Sequence, residues 1–332
     1  MTSATPTTAD PRAASAYAWA LSQLKLDSAR FAPASADASF RRYFRLESEG
    51  RSWVLMDAPP EKENSEAFIH VCGLLHAAGL HAPLIHAQDL QQGFLLLSDL
   101  GRQTFLNVLN ESNADALFTD AIGALIRWQQ SSKPDELPPY DEALLRRELR
   151  LFPDWYVARH LKVTLTDEQA RAWQTAEDHL VKAALAQPQV YVHRDYMPRN
   201  LMLSSPNPGV LDFQDAVYGP ITYDVVCLFK DAFLSWPEER VRDWARQYWL
   251  TAKQARLNVA RDFEEFLRDF ELMGVQRHLK VLGIFARINY RDGKPHYLAD
   301  TPRFIRYVRE AALRHRALTP LLKLFDELGL HS

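Results

Sequence analysis

The chain of 332 residues has 39 basic and 42 acidic side chains, which gives a formal net charge of −3. This balance does not favour nucleic acid or an anionic membrane surface as the main partner. Hydrophobic residues make up 47% of the chain, as in ordinary globular proteins, and no run approaches the roughly 20 apolar residues that cross a bilayer. We therefore expect a soluble protein with no nucleic-acid, membrane or obligate protein partner.

The cysteines and the N-terminus indicate a reducing compartment. Cys72 and Cys227 lie far apart in the sequence and form no metal-ligand spacing, so we expect both thiols to stay reduced. The N-terminal segment MTSATPTTADPRAAS contains no apolar stretch of the kind found in secretion signals. We predict a cytoplasmic protein in which residues 1–12 are disordered.

The first hundred residues mix strands with two helices. The predicted elements are helices over 14–26 and 65–78, a β-hairpin over 40–46 and 52–56, and strands over 84–88 and 94–98. The hairpin is expected to turn near Gly50, and Gly79 is expected to end the second helix. This pattern predicts a small α+β lobe over residues 1–98.

After residue 101, apolar residues recur at helical spacing. One helix is predicted over 115–130, a second opens at the capping box Thr166–Gln169, and helices continue from Asp224 with a break near 291–295. We predict a connector at 99–101 and a larger, mainly helical lobe over 102–332. A cleft between two lobes is a common place for a ligand site.

One stretch of the helical half is not helical and contains most of the polar residues of interest. Its predicted strands cover 190–192, 201–203 and 210–212. If the Pro-rich turn between the last two closes symmetrically, Leu203 faces Val210, and Asn200 and Asp212 meet at the open end. Amide and carboxylate oxygens suit Mg²⁺ better than Zn²⁺. The stretch therefore predicts a magnesium site made by Asn200 and Asp212.

Asp195 lies in the loop just before these two residues. Phosphoryl transfer requires a positioned nucleophile, metal ions that bridge the phosphates, and cations near the transferred group. Asp195 is not needed as a metal ligand and can accept the proton of an incoming hydroxyl group. We predict that Asp195 is the catalytic base.

This segment resembles the catalytic centre of the protein-kinase-like superfamily, where His-x-Asp-x-x-x-x-Asn is followed by Asp-Phe-Gly. The matching residues are His193, Asp195, Asn200, Asp212 and Phe213. Gln214 replaces the usual glycine. The resemblance implies a bilobal α+β fold, with a small N-terminal β-sheet lobe and a larger helical lobe, and it implies ATP and Mg²⁺ as cofactors.

The resemblance also assigns roles to neighbouring residues. Arg199 would reach the transferred phosphate or the acceptor hydroxyl, with a surface arginine as the alternative. His193 would hydrogen-bond the backbone and shape the loop, and Arg194 would be structural. Asp224 resembles the buried aspartate that ties the following helix to the catalytic loop.

Only eleven residues separate Asp212 from Asp224, too few for the activation segment of protein kinases. The chain is therefore similar, over nearly its whole length, to the aminoglycoside phosphotransferase and choline kinase branch. The segments HRDYMPRNLM, GVLDFQDAVYGPITYDVVCLFKDAF and RINYRDGKPHYL are most similar to bacterial anomeric kinases of N-acetylmuramate and N-acetylglucosamine in cell-wall recycling. That resemblance implies phosphorylation of a C1 hydroxyl.

The implied sugar substrate suggests further binding residues. Asp215 would bind a sugar hydroxyl or a second metal. The lactyl carboxylate of N-acetylmuramate calls for an arginine, and Arg159, Arg287 and Arg291 are the candidates. For each arginine, an ordinary salt bridge is the alternative.

Two features depart from the kinase pattern. The phosphate-covering loop, rich in glycine in kinases, reads SADAS over 35–39, and Ser39 in it is predicted to bind the nucleotide. The strand that usually ends in a phosphate-binding lysine ends here in Met56. We predict Arg42 as the substitute cation, because a guanidinium suits phosphate oxygens; a surface arginine is the alternative. The candidate carboxylates for orienting it are Glu61, Glu63 and Glu66.

The FLLLSDLG segment resembles the connector between kinase lobes, where adenine would bind the backbone from Ser98 to Leu100. Two other functions stay open. One is a kinase for another small alcohol, such as an aminoglycoside, choline or homoserine. The other is a nucleotide-binding module without catalysis, which the missing lysine and glycines suggest.

Overall fold

The computed structural model describes residues 10–35 and 40–331. The chain forms two compact units: the first contains the chain up to Phe105 together with Asn200–Asp215, and the second contains Leu106–Arg199 and the chain from Ala216 onward. The first unit has the small sheet and the second is mainly helical, as expected for an α+β protein. The return of Asn200–Asp215 to the first unit was not predicted, and the lobe boundary at 99–101 stays a prediction.

The strands are β1 (Arg30–Ser35), β2 (Arg42–Ser48), β3 (Arg51–Asp57), β4 (Ile85–Asp89), β5 (Phe94–Ser98), β6 (Gln189–Val192), β7 (Leu201–Met202), β8 (Gly209–Val210) and β9 (Val217–Pro220). The helices are α1 (Pro11–Leu24), α2 (Ser65–Ala77), α3 (Phe105–Val108), α4 (Ala114–Gln130), α5 (Glu142–Leu149), α6 (Asp167–Leu185), α7 (Tyr223–Phe229), α8 (Glu238–Gln254), α9 (Phe263–Asp292), α10 (Thr301–Arg314) and α11 (Thr319–Glu327). A π-helix covers Phe152–Leu161, and short 3₁₀ turns cover Pro198–Asn200, Pro295–Asp300 and Arg316–Leu318.

Helix α1 begins earlier than the sequence predicted. The side chain of Asp10 accepts the Ala13 N–H at 3.0 Å, and Pro11 occupies the first helical position, where a missing N–H costs nothing. The predicted disordered segment 1–12 is therefore too long, because residues 11 and 12 are helical. Residues 1–9 lie outside the described part.

The first unit is organised around an antiparallel sheet with the order β1-β2-β3-β5-β4. The predicted hairpin is confirmed: β2 pairs with β3 and the chain turns at Glu49 and Gly50, both with positive φ. Helix α1 covers one face of the sheet, where Tyr17 packs in one apolar cluster with Leu46 and Leu55. Side chains alternate along a strand, so this face is distinct from the one that bears Met56.

The small β7–β8 hairpin pairs in a different register from the predicted one. Leu201 lies opposite Val210, whereas the prediction paired Leu203 with Val210. Leu203 leaves the ladder because its N–H donates to the Gln103 carbonyl at 2.8 Å. A symmetric turn was therefore the wrong assumption.

The second unit is built around the long helix α9, which contacts the π-helix, α6, α7 and α10. The predicted capping box is present, with Thr166 and Gln169 exchanging hydrogen bonds at the start of α6. Gly293, at φ 68°, ends α9 where the sequence predicted a break. Within residues 10–35 and 40–331, no helix has both the length and the apolar character needed to span a bilayer.

Candidate active site

The loop that contains Asp195 is held in place by hydrogen bonds to Asp224. Strand β6 leads into the loop, and the buried carboxylate of Asp224, in the first turn of α7, accepts the N–H groups of His193 at 2.7 Å and Arg194 at 3.0 Å. The His193 ring accepts the N–H of Asp195 at 3.3 Å. The predicted roles of Asp224 and His193 in shaping this loop are confirmed.

Glu148 anchors the same loop from α5. It is 5% exposed and binds the Arg194 guanidinium, the Tyr140 hydroxyl and, at 2.8 Å, the Lys280 ammonium. Burial alone would raise the pKa of Glu148, but Lys280 and Arg194 outweigh it and lower that pKa to about 2. Arg194 is therefore structural, as predicted. The sequence did not reveal Glu148 or Lys280, because each needs a partner distant in the chain.

Asp195 lies near charged groups of both signs. Asp195 is half-buried, and the buried cations Arg277 and Lys280 interact electrostatically with it. Burial, opposed by its two N–H donors and reinforced by the nearby charge of Asp195, raises the pKa of Asp224 to about 7. The guanidinium of Arg199 lies 5.1 Å from the centre of the Phe233 ring, which fixes its direction by a cation–π contact.

Asn200 and Asp212 meet within the first unit, as predicted. The Asn200 amide donates to Asp212 at 3.2 Å, and Gln214 donates to the other oxygen of Asp212 at 3.0 Å. Asp212 has φ 63°, an uncommon conformation for a residue other than glycine. Phe213 anchors this turn by packing against Phe68 of α2, with ring centres 4.7 Å apart.

These residues fit a magnesium ion. Among the described residues no group of three or more His, Cys, Asp or Glu side chains forms a metal cage. Magnesium in nucleotide sites is typically held by one or two protein ligands plus phosphate oxygens, which matches a carboxylate beside an amide. The buried Oε1 of Gln214 lacks a hydrogen-bond partner in the described part of the chain, so this amide oxygen is a further candidate ligand.

The arginines of β2 separate onto different faces of the sheet. Arg42 lies on the α1 face and binds the fully buried Asp57 at 2.5 Å, together with Asp10 at the start of α1. Met56 pairs with Tyr43 on the opposite face, and Arg41 and Arg45 alternate with Arg42. Arg42 therefore does not share a face with Met56, the position that it was predicted to replace.

Arg41 has the contacts that were expected of Arg42. Its guanidinium binds Glu63 at 2.8 Å, and the two side chains are only 11% and 15% exposed. Of the three candidate carboxylates, Glu63 is thus the one paired with an arginine; Glu61 and Glu66 are exposed. Arg45 is held by Asp99 at 2.6 Å. These contacts favour Arg41 over Arg42 as the cation near the phosphates.

Part of the connector backbone that was predicted to bind adenine is already hydrogen-bonded within the chain. The Ser98 N–H donates to the Leu84 carbonyl at 2.9 Å, and its hydroxyl accepts the Leu84 N–H at 2.8 Å. A role for the connector in adenine binding therefore rests on Leu100 more than on Ser98. Ser39 lies outside the described residues.

The four predicted substrate residues differ in environment. Asp215 and Arg159 are exposed. Arg291 forms a two-pronged ion pair with its neighbour Asp292, at 2.6 and 2.9 Å. Arg287 is half-buried, and it has no hydrogen bond or ion pair in the part of the chain that the structure describes. The roles of all four stay predictions.

Comparison with known proteins identifies the family. The profile of the phosphotransferase enzyme family that includes the aminoglycoside phosphotransferases matches residues 30–263. The chain belongs to this family. Phosphotransferase relatives named N-acetylmuramate/N-acetylglucosamine kinase occur in Pseudomonas aeruginosa, 60% identical and covering 90% of this chain and 89% of the relative, and in Pseudomonas putida, 59% identical and covering 89% and 87%.

Solved phosphotransferase structures share the fold. An ADP-bound aminoglycoside phosphotransferase matches with a TM-score of 0.60 at 16% identity and covers 94% of this chain and 99% of its own. The ethanolamine kinase of Plasmodium vivax matches with a TM-score of 0.61 at 11% identity, covering 90% and 84%. These likenesses confirm the predicted protein-kinase-like fold. The family match, together with relatives that are named kinases, shows that this phosphotransferase is a kinase.

Proposed function

We propose that this kinase transfers the γ-phosphoryl group of ATP to the C1 hydroxyl of N-acetylmuramate, N-acetylglucosamine or both. Its relatives of 59–60% identity have this pair of sugars in their names. The observation that carries the proposal is the double hydrogen bond from the catalytic-loop backbone to Asp224, because it fixes the loop on which the half-buried Asp195 is mounted.

In this proposal Asp195 is the catalytic base. It accepts the proton of the C1 hydroxyl as the sugar oxygen bonds to the γ-phosphorus and the bond from that phosphorus to the β–γ bridging oxygen breaks, which releases ADP. Arg199 interacts with the transferred group. Asn200 and Asp212 would hold Mg²⁺, which supplies positive charge at the phosphates when bound.

We further propose that Arg41, oriented by Glu63, supplies the cation that the strand lacks at Met56. Kinases pair a phosphate-binding lysine with a glutamate. The Arg41–Glu63 pair at 2.8 Å provides the same combination of charges from the residue just before the neighbouring strand β2, and a guanidinium can bind two phosphate oxygens at once.

The substrates suggest a cellular setting. We place the protein in the cytoplasm, because ATP is available there and because both cysteines are buried free thiols. A sugar 1-phosphate carries its phosphate on the anomeric carbon, which makes it a suitable precursor of nucleotide sugars. We propose a role in recycling cell-wall amino sugars.

A phosphate-acceptor screen tests the proposal. The purified protein is incubated with ATP and Mg²⁺ and, separately, with N-acetylmuramate, N-acetylglucosamine, choline and kanamycin, and ADP release is measured. We expect turnover with the amino sugars and a product in which ³¹P couples to the anomeric proton. Turnover of choline or kanamycin with neither amino sugar would overturn the proposal.

A further inference from the structure

One face of α9 leads away from the catalytic loop. Lys280, Ile284, Arg287 and Arg291 are spaced by four, three and four residues, so they lie on the same side of the helix. Arg287 is about 10 Å along the helix axis from Lys280. This face therefore bears three positive charges in a row.

The Lys280 end of this face is tied to the loop that bears Asp195. Lys280 binds Glu148 at 2.8 Å, and Glu148 also binds Arg194 in the catalytic loop. Lys280 interacts electrostatically with Asp195 itself. A substrate whose reacting hydroxyl approaches Asp195 can thus extend along the row of cations.

Arg287 differs from the other arginines near this face. Its Nε is buried and, among residues 10–35 and 40–331, donates to no hydrogen-bond acceptor, and the guanidinium forms no ion pair there. Burial and the nearby charge of Arg291 lower the pKa of Arg287, and the charge of Asp292 opposes them only in part. Arg291, in contrast, is 57% exposed and already paired with Asp292.

A half-buried guanidinium without an anion is unfavourable, because it loses hydration and gains no hydrogen bond. A carboxylate would satisfy it with two parallel charge-assisted hydrogen bonds. The two amino sugars of the proposed function differ in this group: N-acetylmuramate carries a lactyl carboxylate on its 3-oxygen, and N-acetylglucosamine has a neutral hydroxyl there.

We propose that Arg287 binds the lactyl carboxylate of N-acetylmuramate and thereby sets the preference between the two sugars. This inference rests on the proposed function, since it concerns the acceptor of the same kinase reaction. Arg287 is on this view a specificity residue, and phosphorylation of N-acetylglucosamine does not depend on it.

The test compares two variants of Arg287 with a control. Arg287→Met removes the charge and keeps most of the side-chain length, and Arg287→Lys keeps the charge but removes the planar fork. Arg171→Met, on the exposed side of α6, is the matched control. Steady-state kinetics are measured for each protein with both sugars, and with the methyl ester of N-acetylmuramate.

For Arg287→Met we expect kcat/KM for N-acetylmuramate to fall about tenfold to a hundredfold, mainly through KM, with little change for N-acetylglucosamine. Arg287→Lys should restore part of the loss. The methyl ester should be used equally well by the wild type and by Arg287→Met, because it has no carboxylate to bind.

Three results would overturn the inference while leaving the kinase activity standing. They are equal losses for both sugars, no loss for either, and a wild type that phosphorylates N-acetylglucosamine alone. A wild type that phosphorylates neither sugar would instead refute the proposed function. The two failures are therefore distinguishable by the wild-type measurements.

Discussion

The carboxylate of Asp224 accepts the backbone N–H of His193 at 2.7 Å, so that a side chain in the first turn of α7 fixes the loop that presents Asp195. The same carboxylate also accepts the Arg194 N–H. Arg194 has φ 75°, a conformation that costs free energy and persists only where the surrounding structure holds it. The loop geometry therefore depends on a residue about thirty positions away in the sequence.

The Asp224→Asn variant tests this dependence. An amide offers one oxygen in place of two, so one of the two buried N–H groups loses its acceptor. We expect the free energy of unfolding at pH 8 to fall by about 1–3 kcal/mol, and turnover to fall because Asp195 is no longer fixed. Urea unfolding and steady-state kinetics measure both effects.

The difference in stability between the wild type and this variant should depend on pH. The pKa of Asp224 is about 7 in the folded protein and near 3.8 in an exposed carboxyl group. Between these values the folded state binds a proton that the unfolded state does not, so stability falls as the pH rises through this range. The wild type should exceed Asp224→Asn in stability by about 3 kcal/mol more at pH 5 than at pH 8. A difference that is independent of pH would contradict the raised pKa.

The Asp195→Asn variant tests the proposed base. The amide keeps the shape of the side chain but cannot accept the proton of the acceptor hydroxyl. We expect turnover to drop by roughly 10²–10⁴, with nucleotide binding retained in a calorimetric titration. Asp243→Asn, at an exposed position of α8, is the control. Unchanged turnover in Asp195→Asn would remove this residue from the role.

Arg41→Met and Arg42→Met separate the two arginines. If Arg41 binds the phosphates, Arg41→Met should reduce kcat/KM for ATP roughly tenfold to a hundredfold. Arg42→Met should mainly reduce stability, since it removes a partner of the buried Asp57, by about 1–3 kcal/mol. The reverse pattern, with the larger kinetic effect in Arg42→Met, would restore the prediction made from the sequence.

The metal site can be tested through nucleotide binding. Asp212→Ala should abolish the component of ATP binding that depends on Mg²⁺. Gln214→Ala removes a hydrogen bond that orients Asp212, so we expect the apparent Mg²⁺ affinity to fall about tenfold. Titration of Mg²⁺ at constant ATP measures both. An unchanged Mg²⁺ dependence in Asp212→Ala would exclude it as a ligand.

Substitutions at two glycines, Gly283 in α9 and Gly73 in α2, test how closely α9 is packed. A Cβ at Gly283 would lie 2.3 Å from the backbone of Leu151, whereas a Cβ at Gly73 in α2 meets nothing within 4 Å. Gly283→Ala should lower the free energy of unfolding by about 1–3 kcal/mol, and Gly73→Ala should leave it unchanged or raise it by up to about 1 kcal/mol. Thermal denaturation of both variants distinguishes the two outcomes; a stable Gly283→Ala protein would show that α9 can shift.

The sequence predicted well those features that depend on residues close together in the chain. The β2–β3 hairpin followed from apolar stretches around Gly50, and the start of α6 followed from the capping box at Thr166. The meeting of Asn200 with Asp212 was also predicted correctly, although the register was wrong. A short connection can join two strands in several registers. The sequence therefore predicts that the two strands meet better than it predicts which residues lie opposite each other.

The sequence predicted less well where a distant partner decides the outcome. Neighbouring residues of an extended chain point to opposite faces, but the sequence did not show which face α1 covers. Because α1 and Asp57 occupy the Arg42 face, Arg41 is left to pair with Glu63. The sequence likewise offered Arg159, Arg287 and Arg291 as equal candidates. That Arg287 has no hydrogen bond or ion pair with any described residue became visible only in the folded chain.

By itself, then, the order of residues determined the kinase-like arrangement of strands and helices, and it indicated the chemistry that we propose: a base at Asp195 and oxygen ligands at Asn200 and Asp212. The tertiary structure decided which charges are neutralised by neighbours and which stay available to a ligand. The physical reason is that residue type and spacing act locally along the chain, whereas burial and ion pairing depend on side chains that meet only when the chain has folded.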